Sequence, residues 1–515
     1  MKLRTVVFVL VAFGVVYAAA AQDTAANGNT AKHHHYKFVD LGTFGGPSSY
    51  FSNGFDGILN DQGTSVGWAD TPTPDPYPAF CFNLDCFVSH AFLSQNGVLT
   101  DLGALPGGGS SLAFWISANG LIAGNSQNGQ LDPLIAGYPQ NRAVLWKRGQ
   151  IIDLGTLEGG YESLVSVVNS RGQVVGVAFN TVPDPFNGLF VTQARAFLWQ
   201  NGTMRDLGTL GGPDANAALI NEAGQVAGSS FTSATANSTT GIPTQDPFYW
   251  ENGNMLDMGT LGGTVGSPSA MNNRGQVVGQ SNLAGDLTFH PFIWSKSGGM
   301  QDLGTLGGDT GETEWISDAG DVVGKADLPG PAPQNHDAVL WRHGAAIDLG
   351  TLPSDACANA YYVSSSGQVV GTSESRDLCL IPTGEHAFLW EHGGPMVDLN
   401  TLIAPGASLE LTFAFGINGG GEIVGIGVPS GCAPQDVNSC GHAYVLIPCD
   451  GDHPDVGGCD YSMVDAASVQ SSASATRPAA LTRQTASSSA QIVNSFRNRF
   501  MQRYRLPGQR PVPHD

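Results

Sequence analysis

The chain repeats itself eight times, and this repetition restricts its fold more than any other property. An Asp-Leu-Gly element, or a near copy, falls at Asp40, Asp101, Asp153, Asp206, Asp257 (Asp-Met-Gly), Asp302, Asp348 and Asp398 (Asp-Leu-Asn), at spacings of 45 to 61 residues. A second mark is an Asn or Ser followed three residues later by Gly: Asn60, Ser117, Asn169, Asn221, Asn272, Ser317, Ser364 and Asn418. Four residues after that Gly comes another, at Gly67, Gly124, Gly176, Gly228, Gly279, Gly324, Gly371 and Gly425. Self-similarity at this period marks a solenoid, a propeller or a stacked array.

The middle of each repeat predicts a hairpin. An apolar residue precedes the Asn or Ser, whose side chain bonds backbone two residues on, while the first Gly accepts positive φ. A short β-branched strand follows, such as Gln173-Val174-Val175. Its closing Gly suits close backbone approach or a bend. A continuous apolar run then recurs, as in Ala196-Phe197-Leu198-Trp199, and reads as a strand buried on both faces. A tight turn and a strand into the next Asp-Leu-Gly complete a unit of four strands, A to D, the size of a propeller blade. The ends of the repeats sharpen this expectation. They open with a lone D strand, Lys37 to Leu41, and close with a lone C strand, Ala443 to Ile447. Pairing the two completes the last unit and removes exposed sheet edges. The expected fold class is therefore all-β: a closed β-propeller of eight four-stranded blades, the last completed by the N-terminal strand. An open β-solenoid is the alternative.

The repeat resembles that of the extracellular HAF-repeat proteins. His90-Ala91-Phe92 and His386-Ala387-Phe388 match the name, His442-Ala443-Tyr444 nearly does, and Asp-Leu-Gly-Thr-Leu-Gly-Gly belongs to the same pattern. Asp246-Pro247-Phe248 and Arg142-Ala143-Val144 depart from it. The resemblance implies secretion and a repeated β architecture, and no activity.

Export is also expected from the N-terminus. Lys2 and Arg4 precede an apolar stretch, residues 5–17, and Ala18 to Ala21 offer small residues for cleavage before Gln22. An uncleaved anchor is the alternative. The stretch is shorter than the roughly 20 residues a bilayer span needs, and no other run is long enough, so no transmembrane span is expected after cleavage. Eight cysteines fall as close pairs, Cys81/Cys86, Cys357/Cys379, Cys432/Cys440 and Cys449/Cys459. Nearest-neighbour disulfides in an oxidising compartment are the simplest reading. The expected organisation is a signal peptide at 1–21, a flexible lead-in at 22–36, the repeat domain at 37–449, a disulfide-closed acidic turn at 450–464, a Ser/Ala-rich linker at 465–490 and a basic tail at 491–515, with the periodicity of a short helix.

The formal net charge is −22. The signal carries +2 and residues 471–515 carry +6, which leaves −30 for 22–470. A body that acidic repels phosphate backbones, so no nucleic-acid partner is expected.

Function is expected on the face displaying the B–C connections, which are long and unlike one another. Within the first, 68–90, Trp68, Tyr77, Phe80, Phe82 and Phe87 are candidate ligand-binding residues, suited to stacking on a sugar or docking a protein. A satellite core beneath the loop is the alternative. The Asp of each Asp-Leu-Gly is expected to cap its own turn rather than to hold a metal. Asp450-Gly451-Asp452-His453-Pro454-Asp455 has carboxylates at Ca²⁺-like spacing but lacks the twelve-residue loop with its closing Glu. No cofactor is otherwise expected. His33-His34-His35 reads as a disordered lead-in, with transition-metal binding as the alternative. With no Gly-x-Ser-x-Gly, His-Glu-x-x-His or Walker loop, no enzymatic activity is expected. The expectation is a secreted, monomeric scaffold binding a glycan or a cell-envelope or other extracellular protein. The alternatives are a structural surface or matrix protein, and a carbohydrate-active enzyme with paired carboxylates from distant loops.

Overall fold

The computed structural model describes residues 32–465, apart from 53–56, 82–84, 187–191, 239, 331–334, 354, 376–385, 392 and 455. The fold is all-β and propeller-like. Each repeat forms one antiparallel four-stranded unit, of which Ser163–Val168, Val174–Pro183, Thr192–Gln200 and Thr203–Asp206 are an example. Six units are separate sheets, while the fourth and fifth are bridged by one parallel pair, Gln245 with Val265. The eighth unit takes Leu409–Ile417, Ile423–Pro429 and His442–Pro448 from one end of the repeats and Tyr36–Asp40 from the other, with Val39 opposite Val445. Burial falls from strand A to strand D. Ser163–Val168 is wholly buried, whereas Thr203–Asp206 is mostly exposed.

The second repeat glycine is fixed by contact. In units two to eight strand A carries a β-bulge opposite it, as between Val165 and Val167. The bulge pushes a strand A carbonyl over the glycine, and in most units a strand C aromatic ring covers it too. A Cβ on Gly176 would run into the Leu164 carbonyl and the Phe197 ring; Gly67, Gly228 and Gly371 meet Tyr50 and Phe92, Asn216 and Phe248, and Asn359 and Phe388 in the same way.

The turns join unit to unit. Asn169 Oδ1 accepts from the N–H groups of Arg171 and Gln173, both at 3.1 Å, and its Nδ2 donates to the Asn221 carbonyl of the next unit at 3.0 Å. Asn221 donates likewise to Asn272 at 3.2 Å, and Asn272 to Ser317 at 3.1 Å. Asn418 of the eighth unit donates to the Asn60 carbonyl of the first at 3.1 Å. Apolar packing follows the same order: Val175 and Ala196 of the third unit pack with Ala217 and Phe248 of the fourth. Phe413 and Val445 of the eighth share a cluster with Phe51 and Trp68 of the first.

Two expectations are corrected. The lead-in is ordered from Lys32 onward. Lys32–His34 pairs with Met463–Asp465, and buried His33 bonds Glu391 Oε1 through Nδ1 at 2.7 Å. The first of the three histidines is thus held by a carboxylate that the sequence pattern does not place beside it. The B–C connections are also shorter than expected, because strands B and C run on beyond the apolar core: Thr64–Pro74 and Phe87–Gln95 leave only 75–86 between them.

Replacing Gly176 by Ala is expected to lower unfolding stability by about 1–3 kcal/mol, because the contact is backbone and ring rather than a pliable chain end. Gly451→Ala, in open space, is expected to change it by less than about 0.5 kcal/mol. Urea titration of both variants checks this.

Candidate functional site

The five predicted ligand-binding residues do not form one surface. Trp68 lies inside strand Thr64–Pro74 and is 0% exposed, stacked on Tyr50 at 5.7 Å and edge-on to Phe114 at 5.8 Å. It belongs to the core and offers no ring to a ligand, a correction that follows from the strand continuing past Gly67. Phe80 packs against Tyr138 at 5.3 Å, in a cluster with Leu164, Val177, Phe179 and Ala194. This is a satellite core under the loop. Phe87 opens strand C opposite Pro74 and is half-buried. Tyr77 is half-buried on the loop. Phe82 lies outside the described residues.

A recurrent signal in these loops went unread in the sequence. Asp75-Pro76-Tyr77, Asp132-Pro133-Leu134 and Asp184-Pro185-Phe186 occupy the B–C connections of the first three units. Each buried carboxylate accepts the N–H two residues on, at 2.8, 2.6 and 2.6 Å. Such an Asx turn, stiffened by Pro, fixes the loop tip. Leu131, Leu134 and Val182, in the second and third units, stand 52%, 49% and 49% exposed.

The His and Asp marks of the repeat, found separately in the sequence, are partners in three units, while His386 of the seventh meets Asp355 at 3.1 Å. His90 Nδ1 lies 2.9 Å from Asp101 Oδ2 and His290 Nδ1 2.8 Å from Asp302, while His442 meets Asp40 at 3.1 Å across the chain ends. Arg195 takes the same place beside Asp206 at 2.9 Å. Each Asp also caps its turn, as expected: Asp101 and Asp302 through the other oxygen, to Gly103 and Gly304 N–H at 2.7 Å, and Asp40 through the same Oδ1, to Gly42 N–H at 2.9 Å. In the fourth unit Asp246 stands where the cation would be, and burial, then the neighbouring Asp257, push it up to about 7.

Other acids are raised for related reasons. Burial, reinforced by the Asp85 carboxyl, pushes Asp70 up to about 8. Burial outweighs the Ala194 N–H and, with Asp184, holds Asp214 at about 7.

A second candidate site lies on the opposite, A–B-turn face. A cavity of 280 Å³ sits where the A strands converge, lined by residues of all eight units from Leu59 to Gly419. Its aromatic residues are Trp115, Trp315 and Tyr362. The two indoles, from units two and six, are 6.2 Å apart, and Trp315 stacks on Tyr362 at 4.4 Å. Asp61, Glu222 and Asp318 stand exposed at its mouth. Burial and then the Asp61 and Asp318 carboxylates raise the Tyr362 phenol above its usual range. The three carboxylates also accept backbone N–H groups of the preceding unit: Gly419 to Asp61 at 3.0 Å, Ser170 to Glu222 at 3.0 Å and Asn273 to Asp318 at 2.8 Å.

Asp450 is committed to its own turn and to His453 Nδ1 at 2.8 Å, and Asp455 lies outside the described residues. Among the described residues no group of three or more His, Cys, Asp or Glu is placed to hold a metal ion. Three of the expected disulfides are formed, Cys81–Cys86, Cys432–Cys440 and Cys449–Cys459. The fourth involves Cys379, outside the described residues. No described helix is long and apolar enough to cross a membrane. Disulfides persist mainly in oxidising compartments.

No family model and no curated protein matches this sequence. Solved structures do. The β-propeller domain of the Trilobed protease from Pyrococcus furiosus is 9% identical, with a TM-score of 0.40 over 68% of this chain and 95% of that one. Porphyromonas gingivalis dipeptidyl peptidase 4 is 10% identical, with a TM-score of 0.42 over 74% and 59%. Pyrococcus horikoshii acylaminoacyl peptidase is 11% identical, with a TM-score of 0.41 over 74% of this chain, which spans 58% of that protein's length. The expectation of no enzymatic activity, drawn from missing motifs, is withdrawn, since the matched proteins include peptidases. Their likeness is one of fold and gives no residue here a catalytic role.

An acid whose pKa is higher folded than unfolded binds its proton more tightly in the folded state, so Asp70, Asp214 and Asp246 lower stability as pH rises from about 4 through about 7–8. The melting temperature is expected to be higher at about pH 5 than at about pH 8, and Asp70→Asn with Asp214→Asn to flatten that slope. A melting series at constant ionic strength checks this; an unchanged slope in the double variant would place the pH dependence in the overall negative charge.

Proposed function

We propose that the chain is an exported member of the HAF-repeat proteins, folded as a closed eight-bladed ring that displays its B–C loops to an extracellular partner. Closure is supported by the pairing of Tyr36–Asp40 with His442–Pro448, by the Asn418–Asn60 hydrogen bond, and by the meeting of Trp115 with Trp315, four units apart in the chain. Export is supported by the signal-like N-terminus and the disulfides. The observation that carries the binding reading is the trio of Asp-Pro turns, which hold the loop tips of three adjacent units rigid beside exposed Leu131, Leu134 and Val182. Exposed aliphatic side chains on stiff loops favour a protein of the cell envelope as the partner, because sugar stacking calls for an open aromatic face. Half-buried Tyr77 supports a glycan as the second reading.

The test uses the mature chain, residues 22–515, against a glycan array and against separated envelope proteins. For a protein partner, Leu134→Asp with Val182→Asp is expected to weaken retention at least about tenfold, with an unchanged melting temperature. Loss with Tyr77→Ala alone would move the reading to a glycan. No retention on either would count against a binding face. Closure has its own check: cysteines at Val39 and Val445 are expected to cross-link within one chain, and absence of that cross-link would refute the ring.

A further inference from the structure

We infer that the aromatic cavity on the A–B-turn face is the receptor for this chain's own basic C-terminal segment, an arginine of 497–505 stacking on Trp115 and Trp315. The inference rests on the ring reading and is independent of the partner proposed for the opposite face. Three observations converge on it.

The chemistry of the cavity suits a guanidinium. Indole faces attract cations, and Arg lies flat on them more readily than Lys. Asp61, Glu222 and Asp318 surround those rings with negative charge. The cavity, about 280 Å³, has room for an arginine side chain.

The segment supplies the matching group. Residues 471–515 contain seven Arg, no Lys and a single acid, Asp515, against a body of opposite sign. Four of those arginines, Arg497, Arg499, Arg503 and Arg505, fall within nine residues.

The described chain also ends on the right face. Met463–Asp465 pairs with Lys32–His34, and His33 bonds Glu391, which accepts from Gln368 Nε2 at 2.8 Å, just past the A–B turn of the seventh unit. The His453 ring lies beside Gly420 in the A–B turn of the eighth. A flexible chain of the 31 residues that separate Asp465 from Arg497 reaches roughly 30 Å as a coil. Eight sheets about 10 Å apart set the axis on the order of 13 Å from the middle of the ring wall, well within that reach.

The test uses the mature full chain. Of its nine tryptophans, all but Trp115 and Trp315 are buried, so acrylamide quenching of indole fluorescence reports on these two. Replacing Arg497, Arg499, Arg503 and Arg505 together by Gln leaves the ring untouched and is expected to increase quenching roughly twofold by uncovering both rings. Trypsin gives the reciprocal view: at about 20 mM salt, cleavage after those arginines is expected to be at least about tenfold slower than at about 0.5 M. The slow rate is expected to be lost in Trp315→Leu and in the combined Asp61→Asn, Glu222→Gln and Asp318→Asn variant, with melting temperature monitoring the fold. Unchanged quenching would overturn the inference. So would protection that survives both cavity variants, which puts the tail elsewhere on the acidic surface, or protection that disappears on dilution, which puts it on a second copy. A failed Val39–Val445 cross-link would instead remove the ring on which the cavity depends.

Discussion

The rest of the structure depends on what one amide does at the A–B turn. Its oxygen caps the turn that begins on its own residue, and its nitrogen leaves the unit to find the next unit's carbonyl, as in Asn169, Asn221, Asn272 and Asn418. A net hydrogen bond of this kind is worth about 1 kcal/mol. Its larger effect is geometric, because it ties the spacing of neighbouring sheets to the conformation of a four-residue turn. Where the residue is Ser the nitrogen is missing, and Asn60 Nδ2 of the first unit is buried without making the link. In the second unit Asn119, two residues on from Ser117, reaches the Ser170 carbonyl at 2.7 Å instead. The acidic side chains beside these turns repeat the link in a second tier, which is why the cavity mouth is negative: its carboxylates are held in place by the units they join.

The second constraint is the glycine that faces the strand A bulge. The bulge brings a carbonyl where a Cβ would stand, and an aromatic residue of strand C usually closes over the gap. One small residue therefore sets the depth at which the Phe-Leu-Trp run packs, and so the thickness of each unit. Together the amide link and the glycine contact hold the inner strands rigidly and leave the outer strand and the B–C loops free to vary. The two faces differ accordingly. One is regular, negative and centred on two indoles. The other carries irregular hairpins, of which the first three have tips fixed by Asp-Pro turns and the second and third expose Leu131, Leu134 and Val182.

The fold was legible because its rules are local. Turn Asn or Ser, first Gly and second Gly each act within a few residues of their own position, and the eight copies reinforce one another. The Asp of Asp-Leu-Gly was read correctly as a cap for the same reason. The candidate site was legible only in part. Trp68 looked like the start of a loop because its strand continues beyond the apolar pattern, in residues such as Thr71 and Thr73 that carry no burial signal. The His–Asp pairs were visible as two marks and not as a pair, since their contact crosses from strand C to the end of strand D. The Asp-Pro turns were only partly within reach of the sequence: the dipeptide stands before an apolar residue four times, and the fourth copy, Asp246-Pro247-Phe248, lies in a strand rather than a turn.

The sequence by itself determined the unit: four strands, their turns, the residues that must be small and those that must be buried, because these follow from backbone geometry over a few residues. Only the tertiary structure decided what the units make together. Trp115 and Trp315 are 200 residues apart in sequence and 6.2 Å apart in space, and His33 finds Glu391 across 358 positions. Contacts at such separations are set by how sheets of a given twist and thickness stack, a property of the assembled whole that no single repeat carries.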